Sequence, residues 1–262
     1  MRFEQLELEL RRSLYRDSFA DFTVWAWPLI TGAPLRPNRA TTAITAALQD
    51  VADGRTRRLL VAVPPGLGKT TTLALYAAWR LLRNPGWRAI HASHSFSLIS
   101  TQSRRVRRLV ESAEYQALFP AVAIRPDESS VENWATTADG RFIATGTDSG
   151  LTGRRADEAV LDDPLAASDR FSKAARESLW SWFTESLSTR LDGENPPIAC
   201  VQQRLDQDDL IGRLITAGGW TLLELPAEDD DGTLLAPEIL SREKLDALKL
   251  QIGSAVYACQ FL

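Results

Sequence analysis

The apolar positions of this chain follow two rhythms. Short, mainly apolar runs at residues 59–63, 88–92, 159–162, 198–202 and 220–225 have the length of buried strands. Between them lie longer stretches in which apolar residues recur every third or fourth position, the mark of helices with one buried face. These stretches fall at 2–22 (Phe3, Leu6, Leu10, Leu14, Phe19), at 40–51 (Ile44, Leu48, Val51), and directly after Thr70 (Leu73, Leu75, Trp79, Leu82). Others fall at 96–112, 115–119, 168–188 (Phe171, Leu179, Trp182, Phe183, Leu187), 208–215, 241–250 and 253–262. Two short strands at 131–136 and 141–145, joined by Ala138-Asp139-Gly140, predict a hairpin. Residues 32–39 and 120–132 read as loops, Asn84-Pro85-Gly86 as a stop, and the Gly/Thr/Ser-rich residues 146–153 as a mobile loop. Strands alternating with helices predict an α/β fold with a mainly parallel central sheet flanked by helices. Such a sheet binds ligands at the carboxyl ends of its strands.

One strand end carries a distinctive loop, Val63-Pro64-Pro65-Gly66-Leu67-Gly68-Lys69-Thr70-Thr71. Strand, glycine loop and apolar helix in this order form a phosphate-binding loop: backbone N–H groups and the helix N-terminus face the anion, Lys69 reaches the phosphates, and the Thr70 hydroxyl ligates Mg²⁺. Val63 stands where the usual pattern has its first glycine, and Pro64 and Pro65 lack an N–H. The cradle for ATP is therefore assigned to Pro65, Gly66, Leu67, Gly68, Lys69, Thr70 and Thr71, with the amides of Gly66 through Thr70 as donors.

A second strand, 159–162, ends in Asp162-Asp163-Pro164. An acid at the end of such a strand holds Mg²⁺ in phosphate-loop enzymes, so Asp162 joins Thr70 as a metal ligand and Asp163 is placed to orient the attacking water. The alternative is that both acids merely cap the turn before Pro164. Glutamate is commoner than aspartate at the second position, and Glu185 is a weaker substitute without motif support. Gln202 and Gln203 end the strand at 198–202. Gln203 could sense the γ-phosphate or simply terminate a strand, and Arg204 could bind phosphate or pair with Asp206 or Asp208.

Two groups of arginines complete the inventory. Arg104, Arg105, Arg107 and Arg108 share one side of the helix at 96–112, either as a stripe for DNA phosphates or as a solvated face balanced by Glu111 and Glu114. Arg154 and Arg155 follow the glycine-rich loop. One of them could reach a γ-phosphate on a neighbouring subunit as an arginine finger, or both could pair with Asp157 and Glu158.

Composition narrows the class without changing this picture. The 262 residues are 44% hydrophobic and 24% charged, with a net charge of −4, so contact with nucleic acid needs a local basic surface. No apolar run approaches the roughly 18 residues that span a membrane. Residues 1–5 have no signal-peptide core. Cys200 and Cys259 have neither metal-ligand spacing nor the makings of a disulfide framework, which fits a reducing cytosol.

Over residues 19–262 the order of motifs resembles the ATPase domain of tailed-phage terminase large subunits. The most specific pieces are Gly150-Leu151-Thr152-Gly153-Arg154-Arg155-Ala156-Asp157 and Val160-Leu161-Asp162-Asp163-Pro164-Leu165. Val63-Pro64-Pro65, Ser188-Thr189-Arg190-Leu191, the run from Gln203 to Leu214 and Tyr257-Ala258-Cys259-Gln260-Phe261 are similar to further segments of that family. The resemblance implies a phosphate-loop NTPase of the additional-strand (ASCE) type, with the Gln203 strand between the phosphate-loop strand and the Asp162 strand. It implies Mg²⁺-dependent ATP hydrolysis coupled to moving double-stranded DNA, without sequence readout, into a procapsid. It further implies a portal protein and a small terminase subunit as partners, a homo-oligomeric ring when assembled, a monomer as a possible isolated state, and the cytoplasm of an infected bacterium as the location.

The chain is expected to be a single ATPase domain, with a helical segment at 1–50 packed on a core at 51–262 and no nuclease domain. Three departures stand out. The arginine usual in the family's loop is missing at Gly66-Leu67, the family's aromatic-His pair is replaced by Arg39-Ala40, and Gln203 occupies a position that is often Thr or Ser. Other readings are a helicase-like or repair ATPase, a small-molecule kinase, and a non-catalytic nucleotide-binding module.

Overall fold

The structure is a computed structural model that describes residues 2–261. Eight strands form one sheet: β1 (Arg58–Ala62), β2 (Arg88–Ser93), β3 (Ile124–Ser129), β4 (Asn133–Thr136), β5 (Arg141–Gly146), β6 (Glu158–Asp162), β7 (Ile198–Gln202) and β8 (Thr221–Glu224). Their order is β3-β4-β5-β2-β6-β7-β1-β8. From β5 to β8 every neighbouring pair is parallel, and only the β3-β4 and β4-β5 pairs are antiparallel. The expected mainly parallel sheet is therefore present, with the predicted hairpin as its antiparallel margin. The strands at its centre are apolar on both faces. Along β1, Leu59 and Val61 enter one core while Leu60 and Ala62 enter the other. Apolar residues in an unbroken run are what a parallel strand covered by helices on both sides requires.

The first core lies beneath the helices α1 (Arg2–Asp17), α2 (Phe19–Thr31), α3 (Arg39–Ala52), α4 (Lys69–Arg83), α5 (Phe96–Glu111) and α6 (Ala113–Leu118). The second is closed by α7 (Lys173–Ser181), by a π-helical segment Trp182–Leu187 and by α8 (Leu210–Ala217). Near the C-terminus, α9 (Arg242–Ile252) and α10 (Ser254–Phe261) return Leu245, Tyr257 and Phe261 to the first core. Of the helix expected at 253–262, Leu262 lies outside the described residues. Among the described residues no helix is long and apolar enough to cross a membrane.

Four expectations are corrected. The helix expected at 2–22 is two helices, because Ser18 leaves the helical conformation and its Oγ accepts the Asp21 N–H at 3.1 Å, capping α2. The break turns Phe19, Phe22 and Ala26 inward. The loop expected at 120–132 contains the edge strand β3, which its charges and Pro126 concealed; proline is tolerated there because one side of an edge strand needs no N–H. The helix expected at 168–188 begins only at Lys173, where Ser172 accepts the Ala175 N–H. It then widens into the π-helical segment, where the Ser188 hydroxyl donates to the Phe183 carbonyl and Trp182, Phe183 and Leu187 are all buried. The helix expected at 208–215 starts at Leu210, capped by Asp209.

Burial of one acid ties the sheet to α4. Glu158 has 0% exposure at the start of β6. Its carboxylate accepts from Tyr76 Oη at 2.7 Å, Arg80 Nη2 at 2.9 Å and Trp87 Nε1 at 3.0 Å. A fully buried carboxylate is tolerable only when so paired. The variant Glu158→Ala leaves two buried donors unpaired and the half-buried Arg80 guanidinium with only a 3.5 Å bond to the Ala52 carbonyl, and should lose about 3–5 kcal/mol of stability by urea denaturation. Tyr76→Phe, which removes a single donor, should lose about 1–2 kcal/mol.

Candidate functional site

The glycine loop follows β1 and gives way to α4. Strand pairing ends with the Val63 N–H donating to the Gln202 carbonyl at 3.1 Å. Gly66 and Gly68 then take left-handed conformations, with φ of 83° and 80°. Such turns point successive N–H groups to one side and form an anion-binding concavity. Between them Leu67 is buried in the first core and anchors the loop. The first N–H groups of α4 have no partner within their own helix and carry the positive end of its dipole. Lys69, at the start of α4, is 5% exposed. Its Nζ donates to the Val63 carbonyl at 3.4 Å and lies 3.4 Å from Asp163 Oδ2. On the other side, Trp27 of α2 closes over the loop: a Cβ at Gly68 would lie 2.7 Å from Trp27 Cη2. Trp27, Arg36, Asn38, Thr41 and Gly66 to Gly68 line a cavity of about 220 Å³.

The two acids sit at the end of β6 and divide the work between them. Asp162 is buried beside α4 and α5. Its Oδ2 accepts from Thr70 Oγ1 at 2.7 Å and from Gln102 Nε2 at 2.6 Å. Its Oδ1 is buried and has no hydrogen-bond partner. Burial, reinforced by neighbouring Asp163, pushes the Asp162 carboxyl up to about 6. Asp163 is left-handed, with φ of 43°, a conformation that aspartate tolerates better than most residues. Three contacts hold it there: its N–H donates to the Val201 carbonyl at 3.0 Å, and its carbonyl accepts from the His94 N–H at 3.2 Å and meets His94 Nδ1 at 3.0 Å. The Asp163 carboxylate takes different partners from that of Asp162. Asp163 Oδ1 accepts the Gln203 N–H at 3.1 Å, and Oδ2 faces Lys69.

This arrangement fits a small divalent cation. Mg²⁺ favours oxygen ligands and is commonly held by one or two protein groups together with phosphate oxygens. The Thr70 hydroxyl spends its proton on Asp162 and keeps its lone pairs, while Asp162 Oδ1 is a buried acceptor with nothing to accept. No cluster of three or more His, Cys, Asp or Glu able to hold a metal occurs among the described residues.

Known proteins offer a likeness in structure. No family model matches the sequence, and no curated protein matches it. The HK97 bacteriophage large terminase superposes with a TM-score of 0.57 at 15% identity, over 87% of this chain and 50% of its own. A Thermus phage large-terminase ATPase domain superposes with a TM-score of 0.53 at 16% identity, over 89% of this chain and 95% of its own. A mutant of that domain gives 0.54 at 16% identity, over 90% and 97%. The chain has the fold of a phage large-terminase ATPase domain. It spans about half the length of the HK97 large terminase and nearly all of the separate ATPase domain. As in an additional-strand (ASCE) phosphate-loop NTPase, β7 lies between β1 and β6, the position expected for the Gln203 strand.

Within this terminase ATPase fold the candidate arginines that form ion pairs do so with side chains other than the two acids. Arg154 pairs with Glu132, and Arg155 pairs with Asp192 at 2.5 Å. The expected partners are engaged elsewhere, Asp157 by Arg88 and Glu158 by Arg80, so the anticipated pairing of Arg154 and Arg155 with them is corrected. Arg204 pairs with buried Asp209 at 2.9 Å rather than with the carboxylate of Asp206 or Asp208, because Asp209 also accepts the Leu205 N–H and so faces the Arg204 turn. Arg107 leaves the expected stripe: it is half-buried, 3.2 Å from Glu111, and donates to the Ser129 carbonyl at 2.5 Å. Arg104, Arg105 and Arg108 remain exposed on α5. Gln203 contributes its backbone N–H to Asp163, Gln202 is buried on the opposite face with both amide atoms unpaired, and Glu185 is exposed on the π-helical segment.

Three residues at the site were not singled out by their sequence context: Gln102, His94 and Trp27. Only Gln102 left a signal. It occupies an inward slot of α5 beside Ile99, Val106 and Leu109, where an apolar side chain is the rule.

The raised value at Asp162 has a definite sign. The folded protein holds this proton more tightly than the unfolded chain, so stability is greatest below 3.8 and is lost as the pH rises through about 6. Asp162→Asn cannot ionise, yet it keeps an acceptor for Thr70 and Gln102. Without metal at about pH 8, this variant should be more stable than the parent by about 1–3 kcal/mol, a few degrees in thermal denaturation, and the difference should vanish near pH 4.

Proposed function

We propose that the chain is the ATP-hydrolysing motor domain of a DNA-packaging terminase, driving double-stranded DNA into a procapsid. The observation that carries this reading is the 2.7 Å hydrogen bond from Thr70 to Asp162, which joins a glycine loop to an acidic strand end on a terminase ATPase fold. The nucleotide phosphates lie on Gly66, Leu67, Gly68, Lys69, Thr70 and Thr71, bordered by Pro65. Lys69 exchanges its bonds to Val63 and Asp163 for the phosphate oxygens. Thr70 and Asp162 hold Mg²⁺, which supplies neutralisation of charge on the transferring phosphoryl group. Asp163, released by Lys69 and still tied to β7 through Gln203, orients the attacking water. Gln203, at the end of the strand between the two motifs, responds to the γ-phosphate. The cavity beside Trp27 takes the adenine, in place of the aromatic-His pair that Arg39-Ala40 replaces.

Arg154 and Arg155 pair with Glu132 and Asp192 of their own chain and not with Asp162 or Asp163, which suits action on a neighbouring subunit in a homo-oligomeric ring, with the isolated domain a monomer. Arg104, Arg105 and Arg108 offer DNA phosphates a charged face without base readout. The portal protein and the small terminase subunit are the partners this role calls for, in the cytoplasm of the infected host. Residues 1–50 and 51–262 form one ATPase domain in this reading.

Phosphate release from ATP, measured against protein concentration with double-stranded DNA present, tests the proposal. The rate per chain should rise steeply with concentration. It should vanish in Lys69→Ala, and it should fall about a thousandfold in whichever of Arg154→Ala or Arg155→Ala removes the finger. Wild-type turnover in Lys69→Ala would refute the nucleotide site. A phosphorylated small molecule as product would identify a kinase, and strand separation on forked DNA a helicase.

A further inference from the structure

Asp162 is oriented by a residue that belongs to neither nucleotide motif. Helix α5 exposes Arg104, Arg105 and Arg108 and buries Ile99, Gln102, Ser103, Val106 and Leu109. Gln102, at 2% exposure, spends its position in this apolar stripe on one contact, the 2.6 Å bond from Nε2 to Asp162 Oδ2. Burying an amide is unfavourable unless a partner meets it.

The carboxylate that results is lopsided. Oδ2 takes two donors at 2.7 and 2.6 Å, and Oδ1 is buried with none. Two donors converging on one oxygen fix the rotation of the carboxylate about its Cβ–Cγ bond. One of them, Thr70, sits in the first turn of α4, directly after the glycine loop. The other sits on a helix of sixteen residues packed into the first core. Gln102 therefore holds the carboxylate from an element outside the glycine loop and its helix. Because both donors use Oδ2, neither competes with a cation for Oδ1.

We propose that Gln102 is a positioning residue for the metal site: it locks Asp162 through Oδ2 so that Oδ1 stays unpaired and available to the divalent cation of the bound nucleotide. The proposal rests on the nucleotide-site reading above. It is a statement about metal affinity, because a donor that orients a ligand commonly contributes ten- to a hundredfold to metal binding.

The test uses Mn²⁺, titrated by electron paramagnetic resonance into the whole chain with ADP bound. Gln102→Met keeps the side chain's length and removes the donor, and Gln102→Asn keeps an amide too short to reach. Both should weaken Mn²⁺ binding about tenfold, while ADP affinity without metal changes less than about twofold. Unchanged Mn²⁺ affinity in both variants overturns the proposal. So does an equal loss of metal-free ADP affinity, which would make Gln102 a packing residue for the whole pocket. If the wild-type chain with ADP binds no Mn²⁺ at all, the nucleotide reading itself fails and takes this inference with it.

Discussion

The hydrogen bond from Thr70 to Asp162 is the joint of the molecule. The two residues belong to strand ends that are not neighbours, since β7 separates β1 from β6. They meet only if three parallel strands end level and α4 starts at once after the loop. The parallel sheet, its two apolar faces and the left-handed Gly66 and Gly68 all serve that alignment. Glu158, at the other end of β6, serves it too: its bonds to Tyr76 and Arg80 pin α4, so the helix bearing Thr70 and the strand bearing Asp162 are tied at both ends.

The joint is built against local preference. Asp162 is held in surroundings that favour its neutral form, and its Oδ1 has no partner. Asp163 adopts a backbone conformation that L-residues rarely take. Lys69 is buried against a carbonyl and a carboxylate at 3.4 Å, both long for hydrogen bonds. Such concentrations of unrelieved strain and charge mark functional sites. A cation and phosphates would relieve the first and the last of these: the cation by neutralising Asp162, the phosphates by giving Lys69 shorter bonds. Metal-free stability is lower for it, which is the expected exchange between stability and function.

Much of this was legible in the sequence. The glycine loop, the paired acids and their strands could be read because their chemistry depends on local order: strand, turn, helix, and an acid directly after an apolar run. The resemblance to terminase motifs correctly anticipated the place of β7. What stayed hidden depends on contacts distant in sequence. Trp27 reaches Gly68 from the N-terminal helices, and His94 braces Asp163 from the end of β2. The partners of Arg154 and Arg204 are Glu132 and Asp209, where sequence proximity had suggested others. Among the elements, β3 was masked by Pro126 and its charges. The break at Ser18 was masked by an apolar pattern that continues across it, because a capping serine does not interrupt periodicity.

The central claim is that Thr70 and Asp162 together hold the metal of a bound ATP. It is tested most directly by the Mg²⁺-dependent rate of ATP hydrolysis in Thr70→Ala, a substitution that removes one half-buried hydroxyl and leaves Lys69, the glycines and both acids as residues unchanged. The account predicts a fall of about a hundredfold or more at saturating nucleotide. A rate within about twofold of the wild type would show that the contact between loop and acid is structural only, and would contradict it.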